Sequence, residues 1–421
     1  MKKLKKNKTP ELFPLDKIKP YPNNTKKHPQ KQIDQVAASI KEFGFNQPLV
    51  LDKDDTIIVG HGRYEAAKAL GLKEVPVIRP NLSPAQAKAY RLADNKLNES
   101  DWLMDAAISD LKELPAELFD LTGFDRDLLI TADEKDDIVP ENVPVRSKLG
   151  DLYQLGDHRV LCGDSTKKEE VEKLMDGKKA DMVFIDPPYG VSYADKNKYL
   201  NKIARGNRIQ TQIEGDHLSV EKTASDIIYP AFCNVKEILA KQASYYITAP
   251  QGGELLMMMM MMMQKSGIPL RHMLIWKKNN HVLGRTDYNY KHEPILYGWI
   301  NKHNFYGGGE QRFSVWDFDK PLRSNLHPTM KPVALIINAI LNSTQSKNNV
   351  VADLFLGSGS TLIACEKTGR VCYAMEIDPH YTDVIVQRYV DFTGNTKVVK
   401  NGKIIEWPIS QKTPRKSPTK D

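Results

Sequence analysis

VVADLFLGSGSTLIACEKTGRVCYAMEID, residues 350–378, spells one strand, one helix and a second strand. An apolar run ends at Asp353, the turn is Gly357-Ser358-Gly359, and a helix is expected over Ser360–Lys367 with Gly369 closing it. Glycines at such a turn let ligand atoms approach the backbone, where the first N–H groups of the helix wait without partners. Glu376 ends the second strand, where a carboxylate can accept both hydroxyls of a ribose. An adenosine-containing cofactor follows. The third glycine of G-x-G-x-x-G and the Lys-Ser/Thr pair of a phosphate loop are both missing, which disfavours phosphate binding. On this stretch alone, a purely structural turn of some other α/β protein stays open.

Working outward, the strand MVFI leads into Asp186-Pro187-Pro188-Tyr189. An open α/β sheet presents its ligands at such strand-to-loop exits. The four residues suit one chemistry. The exocyclic amine of adenine or cytosine is a poor nucleophile because its lone pair is delocalised into the ring. A carboxylate and a proline-freed carbonyl accepting its N–H groups pull the nitrogen towards tetrahedral geometry and aim the lone pair at a sulfonium methyl group. Tyr189 offers a stacking face for a base flipped out of a duplex.

From Gly150 to about Thr393 apolar strands alternate with helices: RVLCGD, DMVFIDPP, SYYITA, MLIWKK, HEPILYGW, VVADLF, RVCYAMEI. That alternation predicts a mostly parallel sheet covered on both faces. The fold class expected is α/β, with a second, smaller α/β module over residues 14–80 that reads helix, strand, strand, helix, strand. In it Ile33, Val36, Ile40 and Phe43 recur at helical spacing before Gly44. The remaining boundaries are a basic leader over 1–13, a helical extension over 81–130 opened by Ser83-Pro84, an acidic linker over 131–149, and a hairpin through Asn401-Gly402 with a basic tail over 394–421. The methionine run Met257–Met263 reads as a space-filling helix or an adaptable binding face.

The chain has 421 residues, 41% hydrophobic and 27% charged, which excludes a wholly disordered chain. Its four cysteines form no C-x-x-C pair, so neither a disulfide framework nor structural zinc is expected, and no metal is assigned. No signal peptide or membrane span is read, so the expected compartment is the cytoplasm, without a membrane partner. Sixty lysines and arginines against 53 acids give +7, which leans towards a polyanionic partner.

Residues 150–393 closely resemble the amino-group DNA methyltransferases that use S-adenosylmethionine, in which D/N/S-P-P-Y/F/W is catalytic and F-x-G-x-G holds the cofactor. The catalytic motif precedes the cofactor loop, the permuted order of the β class. The resemblance implies catalytic roles for Asp186, Pro187, Pro188 and Tyr189. It places Asp164, Asp353, Phe355, Gly357, Gly359 and Glu376 at the cofactor, with His327, Thr329 and Lys331 of the segment HPTMKP. Basic, aromatic and amide residues within 190–325 suit phosphate and base contacts, so target recognition is expected there. Residues 14–80, with Gly60-His61-Gly62-Arg63 before YEAAKAL, resemble the ParB/sulfiredoxin-like domain, although Gly-His-Gly-Arg replaces the usual G-E-R-R. The pairing of the two modules is similar to phage and prophage proteins.

The expected activity is transfer of a methyl group from S-adenosylmethionine to the amine of a flipped base in double-stranded DNA, adenine N6 favoured, in a restriction-modification setting. Cytosine N4, methylation of RNA or a protein amide, and a non-catalytic ParB-like DNA-binding protein stay open. A homodimer is one state considered, and the ligand of the N-terminal module is unassigned.

Overall fold

The computed structural model describes residues 9–22, 28–97, 104–124, 126–189, 219–279, 287–306, 313–319 and 330–410. The chain divides into two compact units, Met1–Leu129 and Ile130–Asp421.

In the first unit a four-stranded sheet runs in the order β1-β4-β2-β3. The strands are β1 (Glu11–Pro14), β2 (Leu49–Leu51), β3 (Ile57–Val59) and β4 (Glu74–Ile78). β1 begins inside the stretch expected to be a basic leader, because Phe13 and Leu15 have a core to join. Leu49, Leu51, Ile57, Val75 and Val77 are fully buried there. The helices are α1 (Gln30–Phe43), α2 (His61–Ala69), α3 (Pro84–Leu97), α4 (Met104–Glu113) and α5 (Ala116–Leu121). α3 opens with a reciprocal cap: Gln86 N–H donates to Ser83 Oγ at 3.3 Å and Ser83 N–H donates to Gln86 Oε1 at 2.9 Å. The apolar stripe of α1 is only half sunk. Val36, Ile40 and the exposed Phe43 line a cavity of about 490 Å³ beside Gly60–Arg63 instead of entering the sheet core.

The second unit is built on an 11-stranded sheet in the order β11-β9-β10-β8-β7-β12-β13-β6-β5-β14-β15. These are β5 (Leu152–Leu155), β6 (His158–Cys162), β7 (Ala180–Ile185), β8 (Leu239–Thr248), β9 (His272–Lys277), β10 (His292–Gly298), β11 (Val315–Asp317), β12 (Val350–Asp353), β13 (Val371–Glu376), β14 (Lys397–Lys400) and β15 (Lys403–Glu406). The five central strands from β8 to β6 are parallel, and both flanks carry antiparallel pairs. Parallel strands covered on both faces read as unbroken apolar runs, and β7 shows it. Met182 and Phe184 point into one core with α9 (Val333–Ser343), α10 (Ser360–Thr368) and α11 (Pro379–Thr393). Val183 and Ile185 point into the other with α6 (Lys168–Met175), α7 (Tyr229–Ile238) and α8 (Gly253–Ser266). All four side chains are at most 1% exposed, and each contributes about 1.5–3 kcal/mol of burial.

Along α8 the methionines divide by helical period. Met259 and Met263 are fully buried, whereas Met257 and Met261 are 58% and 62% exposed. Asn401 and Gly402, both at positive φ, turn the C-terminal hairpin, and β14 pairs with β5, so this hairpin completes the main sheet. The acidic stretch before the sheet is also packed down. Val139 and Val143 join Met330 and Val384 in a small core, while Asp136 pairs with Lys367 and Asp383 takes the Arg146 and Ser147 N–H groups.

Connectivity makes the functional edge. From β7 the chain steps outward to β8, from β12 it steps the other way to β13, and β7 and β12 lie side by side with Val351 opposite Met182. Their C-terminal ends therefore open a crevice at a reversal of strand order.

Candidate active site

Two prolines without N–H groups stop β7 from continuing its ladder, so the chain turns at the strand's exit and delivers Asp186 there. Tyr189 Oη donates to Asp186 Oδ1 at 3.0 Å, and Thr248 Oγ1, from the end of β8, donates to the same oxygen. Lys331 Nζ donates to Oδ2 at 2.6 Å. Burial, with the carboxylates of Asp186 and Glu293 adding to it, pushes the Tyr189 phenol well above 10. Tyr189 therefore serves as a hydrogen-bond donor and not as a phenolate.

One strand over, Asp353 braces the cofactor-type turn. Its Oδ1 accepts the Phe355 N–H at 2.9 Å and its Oδ2 accepts Thr361 Oγ1 at 2.6 Å. Burial, reinforced by nearby Asp186, raises Asp353 to about 7. Gly357 and Gly359 both take positive φ, 56° and 92°. Glu376, at the end of β13, accepts the Gly357 N–H at 2.8 Å and the Asp378 N–H at 3.0 Å, and burial raises it to about 7. Asp164 follows β6, whose Cys162 pairs with Glu376, and the Gly163 N–H donates to the Glu376 carbonyl at 2.9 Å. Its Oδ1 holds the Thr166 hydroxyl at 2.7 Å.

Thus Asp186–Tyr189 and the Asp353–Gly359 turn, far apart in sequence, share one crevice: Asp186, Lys331, Asp353, Phe355, Gly357 and Ser358 line a single small cavity. Asp164 and Glu376 stand on the adjoining strand ends. His327 and Thr329 lie outside the described residues. Lys331, grouped with the cofactor residues by sequence, has its ammonium on Asp186 and Glu293.

The arrangement suits the cofactor expected from sequence. Asp186 and Asp353 line the cavity and Asp164 and Glu376 stand on the adjoining strand ends, a set of carboxylates that favours a cationic ligand, and a glycine turn gives it backbone access. Among the described residues no group of three or more His, Cys, Asp or Glu side chains could hold a metal ion.

Three side chains that sequence reasoning passed over complete the site. Thr248 ends a parallel strand next to β7, a position whose C-terminal location was the available signal. Glu293 bridges Lys331 and Lys278. Arg388 was signalled by a lone cation within the mostly apolar stretch VIVQRYV. Buried in α11, it donates from Nη1 to the Ser358 carbonyl at 2.8 Å and from Nη2 to the Asp136 carbonyl at 2.7 Å, clamping the glycine turn to the acidic stretch.

Comparison with known proteins bears on both units. Residues 180–387 match the family model described as DNA methylase, and residues 1–96 match the ParB N-terminal domain. The chain is 43% identical over 65 residues to the ParB-like nuclease domain-containing protein YnaK of Escherichia coli (strain K12), spanning 15% of this chain and 75% of that protein. It is 23% identical over 244 residues to the type II methyltransferase M2.MboI of Moraxella bovis, spanning 52% and 83%. Of the chromosome-partitioning ParB protein of Rickettsia prowazekii (strain Madrid E) it spans 30%. Among solved structures, PvuII DNA methyltransferase (cytosine-N4-specific) aligns with a TM-score of 0.42 at 14% identity, over 57% of this chain and 89% of that one. Among the described residues no helix is long and apolar enough to cross a membrane.

Proposed function

Since the chain carries a DNA methylase domain of the N6/N4 amino-methyltransferase family in its C-terminal part and a ParB N-terminal domain ahead of it, we propose that it methylates adenine N6 of double-stranded DNA. The observation that carries the reading is the convergence of Asp186 and the Gly357–Gly359 turn on adjacent parallel strands at the reversal of strand order. Preference for adenine over cytosine N4 rests on aspartate at the first motif position, where cytosine enzymes of the family often carry serine.

S-adenosylmethionine, when bound, supplies an electrophilic methyl group on a sulfonium. Gly357 and Gly359 would give the cofactor its backbone cradle. Glu376 would accept from the ribose hydroxyls, and Asp164 would stand near the adenine. Asp353 keeps the turn in shape through Phe355 and Thr361. At the target, Asp186 accepts an N–H of the amine and takes up the proton released as the nitrogen gains its methyl group. Held by Tyr189, Thr248 and Lys331 in a partly buried crevice, this acceptor acts with more effect than it would in open solution. Tyr189 offers the flipped base a stacking face while its hydroxyl orients Asp186. Target recognition is assigned to 190–325, of which 190–218, 280–286, 307–312 and 320–325 lie outside the described residues.

The test is to incubate duplex DNA with methyl-labelled S-adenosylmethionine and the purified chain, then digest the DNA to nucleosides. Label in N6-methyladenosine is the expected result. Label in N4-methylcytidine overturns the base assignment, and label in neither overturns the activity.

A further inference from the structure

Lys331 stands between two carboxylates. Its ammonium lies 2.6 Å from Asp186 Oδ2 and 3.4 Å from Glu293 Oε2, and its side chain is only 5% exposed. The other oxygen of Glu293 accepts from Lys278, whose side chain is 3% exposed. Asp186, the carboxylate assigned to the target amine, is meanwhile fully engaged. Two hydroxyl donors, Tyr189 and Thr248, meet Oδ1 and fill its two lone-pair sites. The side left for an incoming N–H is Oδ2, and there the ammonium draws electron density away and competes for approach. In the resting arrangement the acceptor is capped by its own lysine.

Resting on the methyltransferase reading above, we propose that Lys331 is a positioning residue that hands its ion pair from Asp186 to Glu293 as the target amine enters. Both acceptors lie within 3.4 Å of one ammonium, Asp186 the nearer, so the exchange needs only rotation of a flexible side chain. A buried cation that lost its partner outright would be costly, and Glu293 keeps it paired throughout. Lys278 compensates Glu293 from behind, so the network holds alternating charges before and after the exchange. Among the described residues, the other groups around Asp186 are Tyr189 from its own loop, Thr248 from β8, Asp353 from β12 and, across the ammonium, Glu293 from β10, and none of these is a cation that could substitute for Lys331. In the transfer the amine nitrogen bonds to the donated methyl carbon, and the electron pair of the broken bond leaves with the donor. One N–H proton passes to Asp186 and on to water, while Lys331 keeps its three protons.

The experiment measures turnover, KM for bulk unmethylated DNA, the pH–rate profile and, by calorimetry, cofactor Kd. It compares the full-length chain with Glu293→Gln, Lys331→Met, their combination and Lys331→Arg. With the Glu293 carboxylate gone, the hand-over is disfavoured and the ion pair of Lys331 with Asp186 persists. Glu293→Gln should therefore lower kcat roughly tenfold to a hundredfold, while KM for DNA and cofactor Kd stay close to wild type. Adding Lys331→Met to Glu293→Gln should restore part of the lost turnover and move the acid limb of the profile to higher pH, since a carboxylate that loses a neighbouring cation holds its proton more tightly. A network that only supports the fold would give additive losses and an unmoved profile. Should Glu293→Gln fail to fold, Lys331→Arg decides the matter. Its planar fork can hold both carboxylates at once, so turnover should fall with cofactor Kd intact.

Wild-type turnover in folded Glu293→Gln or in Lys331→Arg overturns the proposal, as does a double variant no faster than Glu293→Gln. If the wild-type chain puts no label into DNA, the methyltransferase reading fails and this inference with it. If it labels DNA and the variants match it, the inference alone fails.

Discussion

The two units each contain a strand-to-helix turn capped by a left-handed glycine, and the two turns have almost the same backbone. Gly60 takes φ 105° and ψ 27° before α2, and Gly359 takes φ 92° and ψ 21° before α10. Their surroundings are opposite. Around Gly60 stand Arg63, His61 and His28, and burial together with the charges of Arg91 and His28 lowers His61 to about 4. Around Gly359 stand Asp353 and Glu376, each raised to about 7 by burial. Backbone shape offers N–H groups at both turns. The first turn sets Arg63 and two histidines beside a single acid, Asp94, whereas the second adjoins Asp353 and Glu376, so the second is the better match to a cationic sulfonium donor.

The largest expected effect separates chemistry from cofactor binding within the second unit. Asp186→Ala should reduce methyl transfer about a thousandfold while leaving cofactor affinity nearly unchanged, because the lost group is the one proposed to accept from the target amine. Glu376→Ala should do the reverse and chiefly weaken the cofactor, by calorimetry roughly tenfold or more, since the ribose contact proposed for this carboxylate acts before the chemical step. Equal losses of both quantities in either variant would mean that the two carboxylates are not divided as assigned.

Next in size, alanine at the two glycines should expose how differently the turns are packed. A Cβ at Gly60 would come 2.6 Å from Leu49 Cδ2, whereas at Gly359 its nearest neighbour is Ile385 Cγ1 at 3.4 Å. Both carry the cost of a non-glycine residue at positive φ, so Gly60→Ala should destabilise its unit by close to 3 kcal/mol and Gly359→Ala by about 1 kcal/mol in urea unfolding. Gly359→Ala should nonetheless weaken the cofactor. Equal stability losses would remove the packing contrast.

How much of this the amino-acid order disclosed depends on the range of the interactions. The turn at residues 357–359, the Asp186 loop and the alternating strands are local patterns, and each shows directly in residue type and spacing. The capping pair Ser83 and Gln86 is equally local. What escaped is what only tertiary packing creates. Residues 131–149 have a linker's composition, yet Val139, Val143 and Asp136 find partners on α10 and α11 and before α9. β1 begins in a basic leader because its partner β4 lies more than sixty residues downstream. Thr248, Glu293 and Arg388 carry no motif, since their meaning comes from strand order and from a buried charge that only the folded chain brings into view.

The smallest effect, and the one that sharpens the contrast most, is the opposite response of the two turns to pH. His61 has a folded value near 4 against an ordinary 6.5, so the unfolded state binds more protons between those values. Its contribution is present above about 6.5 and is lost as pH falls towards 4, which weakens the first unit on acidification. Asp353 and Glu376 run the other way. Their folded values near 7 lie above the ordinary 3.8 and 4.5, so the cofactor-free folded state holds protons that the unfolded chain has released. Their contribution is present at low pH and is lost as pH rises through 7, so the second unit alone should gain stability on mild acidification. If the ionised Glu376 carboxylate accepts from the ribose as proposed, cofactor affinity should fall by up to about tenfold for each pH unit below 7. Calorimetric titration across this window checks the slope, and Glu376→Gln should flatten it. A slope unchanged in that variant would show that the pH response arises from a group other than Glu376, and the charge contrast between the two turns would lose its functional half.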